Sequence, residues 1–177
     1  VVAALNGWFD PAPDLVLSGI NHGANVGRAV LHSGTVGAAL TAGVSDARGL
    51  AVSLAVALHP TRKPCWDSAT AVLPPVLDLL LDSPEGTVLS LNVPDQSLAR
   101  LRPLRYAALA RGGTVQARVT EIRDGDLLLG EIEVFDEPEE GTDSALLLAG
   151  HPTLTALRSV EADDSELVQK WLAGRDG

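Results

Sequence analysis

The chain holds 177 residues, with 13 Lys and Arg against 23 Asp and Glu and a net charge of −10. Such an acidic surface repels phosphate backbones, which argues against a nucleic-acid partner held through basic patches. At 46% hydrophobic and 20% charged residues the chain has the balance of a globular domain, and no window approaches the roughly 18 unbroken apolar residues of a membrane span.

In chain order, Val1 to Trp8 reads as the last turns of a helix, with Asn6-Gly7 as its stop. Asp10-Pro11-Ala12-Pro13 breaks the chain. Residues 14–18 then form a short, fully apolar strand of the kind buried in a sheet covered on both faces. Residues 19–31 are a glycine-rich loop, and 33–44 a helix packed through small residues. Residues 49–55 are a second buried strand, which makes a strand–helix–strand crossover. Residues 67–81 repeat the helical pattern, which Pro74-Pro75 is expected to kink or restart. A third apolar strand follows at 87–93. To this point the pattern is doubly wound α/β.

Beyond Pro94 the character changes. Residues 104–109, 114–122 and 127–135 are strand-like, and Arg123-Asp124-Gly125-Asp126 is a hairpin signal. The alternation along this hairpin is imperfect, so it is expected to be an exposed arm that wants a partner surface. Residues 143–149 read as a short helix with Asp143 as N-cap. A last strand is expected at 154–157 and a terminal helix at 164–172. Within residues 131–143 lie seven acids and no Lys or Arg, read as a solvated face or loop in preference to a cation site. The expected divisions are 1–103 for the core, 104–143 for the arm, and 144–177 for the final strand and helix.

The chemistry concentrates in Ser18-Gly19-Ile20-Asn21-His22-Gly23-Ala24-Asn25-Val26-Gly27 and Leu31-His32-Ser33-Gly34-Thr35-Val36. This segment leaves the carboxyl end of a buried strand, where open α/β sheets place their ligands. It matches neither the dinucleotide-binding glycine pattern nor the P-loop. Ser33-Gly34-Thr35 starts the following helix, where free amides and the helix dipole favour an anion. The same residues also suit an ordinary N-cap, with Ser33 capping its own helix. Asn21 offers a neutral oxygen to a hard cation, or serves as a turn residue. His22 and His32 flank the loop without a defined geometry. Cys65 has no basic neighbour beyond Lys63 and reads as an unreactive thiol; as the lone cysteine it forms no internal disulfide and fits a reducing cytoplasm.

Those two segments closely resemble the SurE family of survival proteins. So do Gly49-Leu50-Ala51-Val52-Ser53-Leu54, Leu91-Asn92-Val93-Pro94, Glu140-Gly141-Thr142-Asp143 and Thr153-Leu154-Thr155-Ala156-Leu157. The resemblance implies a Rossmann-like three-layer α/β fold with a parallel sheet and a C-terminal β-hairpin arm that contributes to homodimers or homotetramers. It implies a cytoplasmic, metal-dependent nucleotidase that removes phosphate from nucleoside monophosphates, with Mg or Mn as the expected divalent cation. Asn21 would be a ligand of that cation, and Ser33, Gly34 and Thr35 would line the phosphate pocket. No residue is assigned as catalytic.

The chain departs from the family pattern in one respect with chemical weight. The family's other cation ligands, an Asp-Asp pair and a Ser, correspond to sequence ahead of Val1, and the chain holds no Met. The expectation is therefore a chain that lacks an N-terminal segment. Asp163-Asp164 stands in the wrong context to replace that pair. His22 and His32 stand where the family has Ala and an aromatic residue. Two readings follow: the C-terminal part of a nucleotidase, or a truncated or degenerate non-catalytic relative that binds phosphate or nucleotide, or only oligomerises.

Overall fold

The computed structural model describes residues 1–112, 115–123, 126–133, 139–158, 160 and 166–173. Its core runs β1 (Leu15–His22), α1 (Gly34–Val44), β2 (Arg48–Ala55), α2 (Trp66–Leu81) and β3 (Val88–Pro94). Strand β4 (Arg105–Tyr106), the ribbon β5 (Val115–Arg123) and β6 (Asp126–Glu133), helix α3 (Asp143–Leu148), strand β7 (Thr153–Leu157) and helix α4 (Leu167–Ala173) follow. The main sheet has the order β1-β2-β3-β7-β4. Its first three strands are parallel; β7 runs antiparallel to β3, and β4 parallel to β7.

Alternation along the strands explains the two covered faces. In β2 and β3, Leu50, Val52, Leu54, Leu89, Leu91 and Val93 pack with Ala69, Val76 and Leu80 of α2. Ala51 and Val88 point the other way, to Val36 and Ala39 of α1. The result is the expected α/β architecture of helix, sheet and helix. The close approach of α1 to the sheet depends on Gly49, where a Cβ would overlap the backbone carbonyl of Ala39. The small residues of α1 and the bare backbone of β2 are one packing solution.

Several boundaries move. Strand β1 does not end at Ser18: its register with β2 shifts between Ser18 and Asn21, then resumes with Asn21 opposite Ser53 and His22 opposite Leu54. The loop expected from residue 19 therefore begins after His22, and a short helical turn over Gly27–His32 leads into α1. Helix α2 continues through Pro74 and Pro75 as one helix, with no restart there. Each proline removes a bond to the carbonyl four residues earlier. Those carbonyls belong to Thr70 and Ala71, both exposed, so solvent takes the place of the lost donors. The N-terminal helical turn, Ala4–Trp8, is broken at Asn6 and Gly7 as expected.

The strand expected over 104–109 shortens to Arg105–Tyr106, which pairs with Thr153 and Leu154 of the main sheet. The hairpin forms its own two-stranded antiparallel sheet, with a register shift between Val119 and Glu121 that matches the imperfect alternation. Its turn residues Asp124 and Gly125 lie outside the described residues, as do Asp163-Asp164, where the terminal helix is expected to begin; the described helix starts at Leu167 with no acid in its first turn. Among the described residues, no helix is long and apolar enough to cross a membrane.

Candidate functional site

The register of the sheet builds a polar row at the carboxyl ends of the parallel strands. Asn21 of β1 pairs with Ser53 of β2, Ser53 with Asn92 of β3, and Asn92 with Thr153 of β7. Ser53, Asn92 and Thr153 are buried and Asn21 is half-buried. Polar side chains in such positions need partners, and the loop after β1 supplies them. The Asn25 amide N–H donates to Asn92 Oδ1 at 2.8 Å, Asn92 Nδ2 donates to the Asn25 carbonyl at 2.9 Å, and Asn25 Nδ2 donates to Ser53 Oγ at 2.7 Å. Asn21 Nδ2 donates to the Gly23 carbonyl at 2.8 Å, and Gly23 N–H to the Leu54 carbonyl at 2.8 Å. Thr153 Oγ1 is buried with no hydrogen-bond partner among the described residues.

The same loop is anchored at its far end by Asp143. This carboxylate accepts from Gly27 N–H at 2.7 Å through Oδ2, and from Ala110 and Ser144 N–H at 3.0 and 2.8 Å through Oδ1. The expected N-cap role belongs instead to Thr142, whose hydroxyl accepts from the Ala145 amide at 3.4 Å. Asp143 is also not part of a solvated acidic face, since it is 1% exposed. Glu139 and Glu140 are exposed, and Asp136 and Glu137 lie outside the described residues.

Ser33 caps α1, its hydroxyl accepting from Val36 N–H at 3.1 Å. The cap and the anion pocket are compatible. The cap takes the third amide of the helix, while the amides of Gly34 and Thr35 precede any helical carbonyl partner. Ser33 and Thr35 are half-buried and Gly34 exposed, so the end of the helix is reachable from solvent. Because α1 follows a parallel strand, that end stands at the same edge of the sheet as Asn21. No hydrogen bond among the described residues joins Asn21 to Ser33, Gly34 or Thr35.

His22 is exposed and lies against Trp66, with ring centroids 6.0 Å apart and planes at 51°; His32 is exposed at the end of the turn before α1. Cys65 has a basic neighbour besides Lys63, contrary to expectation: Arg62 Nη1 lies 3.0 Å from its sulfur. Arg62 also pairs with Asp95 at 2.9 Å. The Cys65 contact foremost, then the Asp95 charge working against desolvation, raises the Arg62 guanidinium above its ordinary pKa.

A hard divalent cation needs several oxygen ligands and anionic charge. The Asn21 side-chain oxygen would offer one neutral ligand, and among the described residues no three His, Cys, Asp or Glu gather to hold a metal. The buried carboxylate of Asp143 has both oxygens committed to amides. The donor set therefore does not by itself fit such a cation.

Comparison with known proteins bears on this arrangement. The family model described as "Survival protein SurE" matches residues 1–116. A "5'-nucleotidase SurE" from Rhodopseudomonas palustris (strain BisB18) is 34% identical over 163 residues, 88% of this chain and 64% of the relative. Another from Marinomonas sp. (strain MWYL1) is 35% identical over 164 residues, 88% of this chain and 62% of the relative. The chain thus spans a little under two thirds of the length of these relatives. Among solved structures, the SurE protein from Aquifex aeolicus superposes with a TM-score of 0.72 at 24% identity, covering 91% of this chain and 66% of that one. This likeness is one of fold.

Proposed function

The chain belongs to the SurE family, and from that premise we propose that the protein acts in hydrolysis of phosphoric monoesters, as a metal-dependent nucleotidase that converts nucleoside monophosphates to nucleoside and phosphate. Relatives named 5'-nucleotidase support the reaction class. The observation that carries the reading is the reachable N-terminus of α1 at the edge of the sheet where Asn21 begins the polar row. In this reading the amides of Gly34 and Thr35 and the hydroxyls of Ser33 and Thr35 hold the phosphate, with the helix dipole favouring its charge. Asn21 contributes a neutral ligand to a divalent cation, Mg or Mn. A bound cation of this kind would stabilise charge on the phosphoryl oxygens. Its anionic ligands are not gathered at Asn21 among the described residues. The protein is cytoplasmic in this proposal, and the ribbon β5–β6 serves homodimer or homotetramer formation.

The incomplete donor set favours a second reading for the isolated chain: phosphate or nucleotide binding without turnover. One experiment separates the two. Phosphate release from nucleoside monophosphates is measured with this 177-residue chain in Mg²⁺ or Mn²⁺, before and after chelation, alongside binding of inorganic phosphate. Chelator-sensitive release supports the enzyme; binding without release supports the module. Absence of both overturns the phosphate pocket.

A further inference from the structure

We infer that Asp143 is a positioning residue that holds the turn at residues 25–27, and through it the approach to α1, in the geometry the phosphate end of that helix requires. The clause about phosphate rests on the reading above; the clamp itself stands on contacts alone. Two chain segments distant in sequence meet on one carboxylate, Gly27 of the loop after β1 and Ala110 ahead of the ribbon, beside the amide of its own neighbour Ser144 in α3. A second layer surrounds it. Arg28 N–H donates to the Ala110 carbonyl at 3.1 Å, and Asp143 N–H donates to the Ala108 carbonyl at 2.8 Å.

Gly27 fits this clamp in two ways. Its φ is +58°, a conformation that favours glycine, and a Cβ there would overlap the Gly112 carbonyl and lie 3.0 Å from the Ala110 carbonyl. The turn is therefore gripped from both ends: Asn92 and Ser53 hold Asn25, while Asp143 holds Gly27. Ser33 follows Gly27 by six positions, and the turn over Gly27–His32 occupies all of that distance. A shift of Gly27 must then be absorbed inside this turn or passed to the cap of α1. The carboxylate also ties the loop to the root of the ribbon, so the seating of the arm and the shape of the loop share one anchor.

Asp143 is buried with three amide donors converging on its two oxygens. Asp143→Asn keeps the shape but turns one acceptor into a donor, which leaves at least one amide facing another N–H. Because hydrogen bonds to a charged acceptor are the stronger kind, the expected result is local: exchange at the Gly27 and Ala110 amides accelerates about ten- to a hundredfold, with the β2 and β3 amides keeping their protection. In the same variant, the response of the Gly34 and Thr35 amides to inorganic phosphate should require about tenfold more phosphate.

The test is hydrogen exchange and a phosphate titration, both followed by amide NMR on the full chain, for the unsubstituted protein, Asp143→Asn and Asp143→Glu. Asp143→Glu keeps the acceptor charge and should recover part of both effects. If Asp143→Asn does not fold, Gly27→Ala loosens the other partner of the same bond and should give the same local pattern. Equal acceleration throughout the sheet would mark a general stabiliser and overturn the inference, as would an unchanged phosphate response with a loosened Gly27. Where the unsubstituted chain ignores phosphate, the phosphate reading fails on its own, and the exchange pattern at Gly27 and Ala110 still decides whether Asp143 positions the turn.

Discussion

Asn92 holds the main chain of Asn25 from both sides, accepting from its amide at 2.8 Å and donating to its carbonyl at 2.9 Å. A primary amide is suited to this task, since it presents one acceptor and two donors from a single rigid plane. Asn92→Ala removes both partners and leaves a peptide group to find others. Each stranded group costs ~1–3 kcal/mol, so the variant should lose about 2 to 6 kcal/mol in urea unfolding. Asn92→Asp retains an acceptor for the N–H but sets an oxygen against the carbonyl, and should be no better tolerated at neutral pH. A loss below about 1 kcal/mol for Asn92→Ala would mean that the Asn25 main chain is solvated in the native state.

Helix α1 contains Gly34, Gly37 and Gly43 and faces Gly49 on β2, and the surroundings assign Gly37 and Gly49 opposite behaviour. At Gly49 a Cβ overlaps the Ala39 carbonyl, so Gly49→Ala must push the helix off the sheet, an overpacking penalty of about 1–3 kcal/mol. At Gly37 a Cβ meets nothing within 4 Å, so Gly37→Ala should gain up to about 1 kcal/mol from helix propensity. Thermal unfolding of the two variants checks the sign difference. A stabilising Gly49→Ala would show that α1 is not seated against β2 as described.

Thr153 closes the polar row beside Asn92, buried and with its hydroxyl unpartnered among the described residues. Thr155, two residues on, donates to the Ala107 carbonyl at 3.0 Å. The two threonines should therefore respond differently to the isosteric change to valine. Thr153→Val removes a polar group that makes no protein bond and should be neutral or stabilising, within about 1 kcal/mol. Thr155→Val strands a buried carbonyl and should cost about 1–3 kcal/mol. Urea midpoints for the pair decide it; equal losses would show that Thr153 is bonded too.

What could be read in advance depended on the range of the interactions. The strands of the core announced themselves as unalternating apolar runs, and Ser33 announced the start of α1, because both signals are local. Spacing alone left Asn21 a turn residue or a ligand and Ser33 a cap or a phosphate contact; the cap is what the structure shows, and the other roles rest on the family resemblance. Asp143 was misread as a cap because its neighbour Thr142 takes the cap, and nothing local says that its carboxylate reaches Gly27, 116 residues away. The roles of Asn25, Ser53 and Asn92 likewise exist only once the register aligns three strands. Arg62 beside Cys65 is a different case. Its spacing of three residues was open to inspection, whereas the exposure of Thr70 and Ala71 beside the prolines of α2 is known only from the fold.

Ser33 serves two possible masters, the amide of Val36 and a phosphate, and one substitution separates them. Ser33→Asp keeps a good N-cap, since Asp ranks with Ser there and its charge interacts favourably with the helix dipole. Stability should be unchanged or higher. The same carboxylate stands where the proposed phosphate would sit, and like charges ~4 Å apart repel by roughly 1–4 kcal/mol near a protein surface, so phosphate affinity should fall about tenfold or more. Ser33→Ala gives the reverse balance: about 1 kcal/mol lost with the cap, and a smaller loss of affinity because the amides of Gly34 and Thr35 remain. Urea unfolding and a calorimetric phosphate titration of both variants read the two axes separately. Phosphate affinity unchanged in Ser33→Asp would leave Ser33 a cap alone and remove it from the binding pocket.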